Sequence, residues 1–180
     1  MQRQNGFTLI ELMIAVGLTG LLLSMAVPAM DAFVMNARQT GAINDLVSSR
    51  PLARSTANTT NTRVTVCPSA NGATCENTDW DRGWIVFSDL DSDQIVDLDE
   101  EIVGHHEGIN NLSIDSATFG QFLLYRPNGR AMNVSVNGSS GEFVVCDSRG
   151  ANRSKVMIID LSGRPRLSKK LANGNAPTCS

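Results

Sequence analysis

From Phe7 to Met30 the chain is apolar but for Glu11 and a few small polar residues, and the short polar stretch Met1-Gln2-Arg3-Gln4-Asn5-Gly6 precedes it. Taken as a helix rising about 1.5 Å per residue, such a run is long enough to cross a hydrocarbon core of about 30 Å. Beyond it Met30, Phe33, Val34, Ala37, Ile43, Leu46 and Val47 recur mostly at three- and four-residue steps, which predicts an amphipathic continuation to about Ala57. Pro28 is expected to kink or loosen this helix rather than end it, and Pro51 to bend or shorten it.

From Thr62 onward the period changes. Short runs rich in β-branched and aromatic residues predict strands over Thr62–Cys67, Trp84–Ser88, Glu101–Val103, Leu112–Ile114, Gln121–Tyr125, Ala131–Val134, Glu142–Cys146 and Lys155–Asp160. Pro127-Asn128-Gly129 and Asn137-Gly138 are turn signals between them. The fold class is therefore α+β, a long N-terminal helix packed on an antiparallel β-sheet domain.

Glu11 changes the meaning of the apolar run. An acidic residue at the centre of a membrane helix costs roughly 2.5–3.5 kcal/mol on insertion scales, less near the end, and an intramembrane acid calls for a function and a partner. An ordinary secretory signal places a small-residue cleavage site after its apolar core. Here Gly6 comes before the core, so cleavage there removes only the leader and leaves the helix on the mature chain. Arg3 then falls on the cytoplasmic side, as positive charge beside a membrane helix favours.

Gly6-Phe7-Thr8-Leu9-Ile10-Glu11 resembles the processing motif of type IV pilins and of the pseudopilins of type II secretion. The resemblance implies a prepilin peptidase that cuts after Gly6 and methylates the new amino terminus at Phe7. It also implies that Glu11 meets the N-terminal amine of a neighbouring subunit in a filament. Downstream, Cys67-Pro68, Trp84-Ile85-Val86-Phe87, Pro127-Asn128-Gly129-Arg130 and Ser162-Gly163-Arg164-Pro165-Arg166 occur in an order similar to that of the FimT/FimU/GspH group of minor pilins and pseudopilins, over essentially the whole chain. The implied organisation is a leader at 1–6, a transmembrane and filament-assembly helix at 7–30, its amphipathic continuation at 31–57, and a β-rich globular domain with a basic C-terminal tail at 58–180. The expected location is the inner membrane with a periplasmic globular domain, and later a pilus or pseudopilus; the expected partners are other pilins.

The formal net charge of −3 averages two opposite regions. Residues 76–107 hold eleven acids against Arg82, and residues 149–170 hold seven bases against Asp160. Four cysteines suggest an oxidised, exported domain. Three pairings exist in principle; locality favours Cys67–Cys75 around a short turn and leaves Cys146 for Cys179, which would tie down the tail. No Cys-x-x-Cys spacing exists and His105-His106 are adjacent in an expected loop, so a four-ligand zinc site is not indicated. Neither a nucleophile constellation nor a P-loop is present, and the chain reads as a structural and binding protein without a cofactor.

Two charged segments are candidate sites. Asp89, Asp91, Asp93, Asp97 and Glu100 occupy positions 1, 3, 5, 9 and 12 of an EF-hand-type calcium loop. Position six is Gln94 instead of the glycine that makes the sharp turn, and the flanks read as strands, so the favoured reading is an acidic hairpin loop without a metal. At the other end, Arg164 and Arg166 flank Pro165, and an extended backbone would point both guanidinium groups to one side. With Lys169 and Lys170, and with Arg149, Arg153 and Lys155 as further members of the basic set, they suit phosphate contacts that read no base. Gly163-Arg164-Pro165-Arg166 looks like the Gly-Arg-x-Arg motif of the FimT branch, which implies sequence-independent binding of double-stranded DNA in natural transformation. A FimU-like minor pilin that primes assembly and a GspH-like secretion pseudopilin, neither touching DNA, remain the alternatives.

Overall fold

The computed structural model describes residues 7–132, 140–160 and 162–179. The leader with Gly6, the Asn137-Gly138 turn and the expected strand end at Val134 lie outside the described residues. The chain divides into two compact units, one up to Ala37 and one from Arg38 onward.

Helix α1 spans Leu9–Thr60. Its start has a capping geometry: the Thr8 hydroxyl accepts from the Glu11 amide at 3.3 Å, and the Thr8 carbonyl accepts the Leu12 amide at 3.2 Å. Thr8-x-x-Glu11 is thus a capping-box sequence, with an acid where the helix dipole favours negative charge. Up to Met30 the apolar residues are exposed all round the helix, as are Phe33 and Val34 beyond it, and this part is long and apolar enough to cross a membrane. Met30, Phe33 and Val34, read from their spacing as part of a packed face, belong to this exposed set.

In the second unit the helix becomes one-sided. Gln39, Ala42, Ile43, Leu46, Ser49, Ala53 and Ala57 are buried at three- and four-residue steps. The helix passes through both prolines. Pro51 is exposed, so its ring sits away from the packed face, and burial on both sides of it outweighs the lost backbone bond.

Among the described residues nine antiparallel strands form two sheets: β1 (Arg63–Pro68), β2 (Gly83–Asp89), β3 (Ile102–Glu107), β4 (Leu112–Asp115), β5 (Leu123–Tyr125), β6 (Ala131–Met132), β7 (Gly141–Asp147), β8 (Lys155–Ile159) and β9 (Pro165–Ser168). The first sheet is ordered β3-β2-β1-β5-β6 and the second β4-β7-β8-β9. Two short 3-10 turns, Trp80–Arg82 and Ala151–Arg153, precede β2 and β8. His105 and His106 lie on β3, not in a loop, and His106 stacks on Trp84 with ring centroids 4.9 Å apart. The alternation of β3 is weak because only one of its edges is paired, which is why its polar residues read as a loop.

Strand alternation builds three apolar clusters. Val64, Val66, Trp84, Val86, Tyr125, Phe143, Val145, Met157 and Ile159 face the helix and form the main core. The opposite face of the first sheet buries Cys67, Ile85 and Phe87 beneath Cys75, Val96, Ile102 and Phe122. The opposite face of the second buries Val144, Cys146, Val156 and Ile158 beneath Leu171 and Cys179. Each disulfide fastens one of these covers, Cys67 to Cys75 and Cys146 to Cys179. Phe143 is fully buried between Trp80, edge-on at 5.0 Å, and Phe119, stacked at 5.3 Å. Phe143→Ala is expected to cost about 3–5 kcal/mol, read as a lower denaturation midpoint with the disulfides intact.

Candidate functional site

The basic residues gather where an edge of one sheet meets an edge of the other. Strand β9 pairs only with β8, Ile158 opposite Arg166 and Ile159 opposite Pro165. The turn that feeds it is built on Asp160, whose Oδ1 accepts from the Ser162 amide at 2.9 Å, the Ser162 hydroxyl at 2.6 Å and the Arg164 amide at 2.9 Å. The Ser162 bond first, then the Arg164 amide, hold the Asp160 carboxyl below its ordinary range. The turn therefore stays closed around an ionised carboxylate.

Gly163 has φ +72°, and a Cβ on it would come within 3.2 Å of the Gly129 carbonyl and 3.3 Å of the Tyr125 ring. The β8–β9 turn thus lies against the β5–β6 turn, where Gly129 (φ +75°) donates its amide to the Arg126 carbonyl at 2.7 Å. Helix α1 completes the seam. Arg50 Nε donates to the Gly163 carbonyl, and the Arg54 guanidinium occupies the space that a Gly129 side chain would need. Arg50 and Arg54 are one turn apart and so share a helix face. Tyr125 is buried beneath them; burial raises its phenol pKa strongly, against the opposing charges of Arg50 and Arg54.

Six arginines lie on these three elements: Arg50 and Arg54 on the helix, Arg126 and Arg130 in the β5–β6 turn, Arg164 just before β9, and Arg166 within β9, where its pairing with Ile158 puts it on the outer face of the second sheet rather than the helix face. Among the described residues none of the six forms an ion pair with an acid. Arg126 Nε and the Tyr125 hydroxyl are buried with no hydrogen-bond partner. Arg130, Arg164 and Arg166 are exposed.

Arg166 lies within β9 and Arg164 just before it, so strand alternation alone does not set the direction of Arg164. Lys169 and Lys170 follow the strand in an exposed bend. Arg149, Arg153 and Lys155 fall elsewhere. Arg149 is committed to Asp147 at 2.5 Å, a hydrogen bond that holds the Asp147 carboxyl below its ordinary range despite partial burial. The Arg153 carbonyl accepts from Gln39 at 3.1 Å, and Lys155 Nζ donates to Thr40 at 2.6 Å. The acidic residues Asp89 to Glu100 run from the last residue of β2 into the β2–β3 connection. Sequence reasoning misses Arg50, Arg54, Arg126 and Arg130 as members of this site; Arg130 enters only through the family-like string Pro127-Asn128-Gly129-Arg130, and the four-residue step from Arg50 to Arg54 is the one local signal of the helix pair.

The family comparison agrees with this architecture. The family described as type II transport protein GspH matches residues 42–163, and the prokaryotic N-terminal methylation motif matches residues 1–27. The chain belongs to the GspH family, within the minor type IV pilins and pseudopilins, whose members are structural proteins that associate with other pilins in a filament. Two crystal structures of the type IV minor pilin FimU from Pseudomonas aeruginosa share its fold at 20% identity. One has a TM-score of 0.59 and covers 82% of this chain and 99% of that one; the other has 0.57, covering 78% and 99%. No curated protein matches the sequence.

Gly163→Ala places a side chain in a left-handed conformation against the Gly129 carbonyl. It is expected to cost about 1–2 kcal/mol in chemical denaturation.

Proposed function

We propose that this protein is a minor type IV pilin that holds double-stranded DNA through phosphate contacts along the arginine seam and supports DNA uptake in natural transformation. The observation that supports this reading is the gathering, without acidic partners among the described residues, of Arg50, Arg54, Arg126, Arg130 and Arg164 along one seam, with Arg166 on the adjoining outer face of the second sheet. Guanidinium groups donate paired hydrogen bonds to phosphate oxygens, and a surface that reads only phosphates is independent of base sequence. Arg164, Arg166, Lys169, Lys170 and the exposed Arg130 are the contacting groups. Arg50 acts as a positioning residue, because its bond to Gly163 fastens the turn that presents Arg164.

The N-terminal segment serves delivery. Prepilin peptidase cuts after Gly6, the helix from Phe7 holds the chain in the inner membrane with its globular part periplasmic, and Glu11 meets the amine of a neighbouring subunit during assembly. The capping geometry at Thr8 fits both states, since it needs only the backbone amide of Glu11.

The FimU-like fold and the GspH family match favour a second reading, in which the protein primes a pilus or serves a secretion pseudopilus through protein contacts alone. Phenotype separates the two: loss of transformation with pili retained supports DNA uptake, and loss of piliation supports priming.

The direct test is binding of a mixed-sequence duplex to the full chain in neutral detergent. The expected Kd is about 10⁻⁴–10⁻⁶ M, with log affinity falling against log salt with a slope of about −3 to −5. Arg164→Ala with Arg166→Ala is expected to abolish binding without lowering the melting temperature. Unchanged affinity in that double variant would remove these residues from the site, and no binding by the unaltered chain would leave the protein-contact reading.

A further inference from the structure

The β2–β3 connection holds a second site, independent of the arginine seam. Asp89, the last residue of β2, points to the same face as Phe87 and Ile85 and is fully buried. Its Oδ2 accepts from the Thr65 hydroxyl at 2.6 Å, while its Oδ1 is buried with no hydrogen-bond partner among the described residues. Arg63 stands opposite Asp89 in the β1–β2 register, yet the two make no ion pair. A buried carboxylate with an unused oxygen carries a large desolvation cost unless a cation compensates it.

The residues around it supply the rest of a cation shell. One carboxylate oxygen each of Asp89, Asp91 and Asp93 lies within 4.8 Å of the other two. Two oxygens bound at about 2.3–2.6 Å to one calcium ion are at most about 5 Å apart, so the three oxygens lie within reach of a single calcium ion. The loop is folded before any ion arrives. Asp91 Oδ1 accepts from the Asp93 amide and Asp93 Oδ1 from the Ile95 amide. Glu100 spans the loop, taking the Leu90 amide on Oε1 at 2.7 Å and the Asp97 amide on Oε2 at 3.1 Å. Gln94 adopts φ +65°, so the left-handed turn expected of glycine at position six is made by glutamine.

We propose that the 89–100 loop is a calcium site in which Asp89, Asp91 and Asp93 are the carboxylate ligands. The ligands are hard oxygens and the loop is closed by backbone hydrogen bonds, which suits an ion of calcium's size and flexible coordination. The bound ion would also fix the loop that carries Val96 over the outer cluster of the first sheet. The affinity expected is that of extracellular modules, about 10⁻⁴–10⁻³ M.

The test uses the full chain in detergent, first stripped with EDTA. At calcium about tenfold above Kd the melting temperature should rise by about 3–6 °C, and calorimetric titration should give one site. Asp91→Asn with Asp93→Asn changes two exposed residues, so it should fold, melt at or above the unaltered chain in EDTA, and lose at least about tenfold in calcium affinity. No shift and no heat at millimolar calcium would overturn the proposal. So would an equal shift with magnesium or with sodium chloride at matched ionic strength, because either would mean general screening of an acidic loop.

Discussion

The structure depends on one packing arrangement, the small-residue face of α1 against the two sheets. Ala42, Ala53 and Ala57 are essentially without exposure, and Ser49 accepts the Trp84 indole N–H at 2.8 Å. Larger residues there would hold the helix off both sheets. With the helix seated, Trp84, Tyr125, Phe143 and Met157 close around it as one core, and the outer face of each sheet is left for a disulfide-fastened cover. The same seating fixes which residues line the flank of the helix. Arg50 and Arg54 reach the Gly163–Gly129 seam only because Ser49 and Ala53, their neighbours in sequence, are buried.

Charge follows from this geometry as much as from composition. The acidic and basic halves of the chain become two separate features. One is a carboxylate-lined loop anchored on the buried Asp89, and the other is an arginine seam into which three distant segments converge. Among the described residues no ion pair joins the two. Asp147 and Arg149 show the contrast, since a basic residue meant only for structure is found bonded to an acid beside it.

The helix and most strands were legible because their signal is local. The step pattern from Ile43 to Ala57 survives folding, and the continuous apolar run Phe143-Val144-Val145-Cys146 is a strand buried on both faces. Strand β9 was less so: Pro165, Arg166 and Ser168 carry no apolar alternation, and the strand exists because β8 offers it an edge. The extension of β3 through His105 and His106 was hidden for a like reason, polar residues held in place by the β2 register. In the basic site, Arg164 and Arg166 were readable as a motif, whereas Arg50, Arg54 and Arg126 join it through contacts between residues that are far apart in sequence. Gln94 is the reverse case, a residue whose type argues against a turn that the closed loop imposes.

The most direct measurement is arginine footprinting of the full chain with phenylglyoxal, in the presence and absence of a mixed-sequence duplex, read by mass spectrometry. The account predicts that DNA protects Arg130, Arg164 and Arg166 together while the exposed Arg38 and Arg82 react as before. Equal protection of all arginines, or none at the seam, would contradict it.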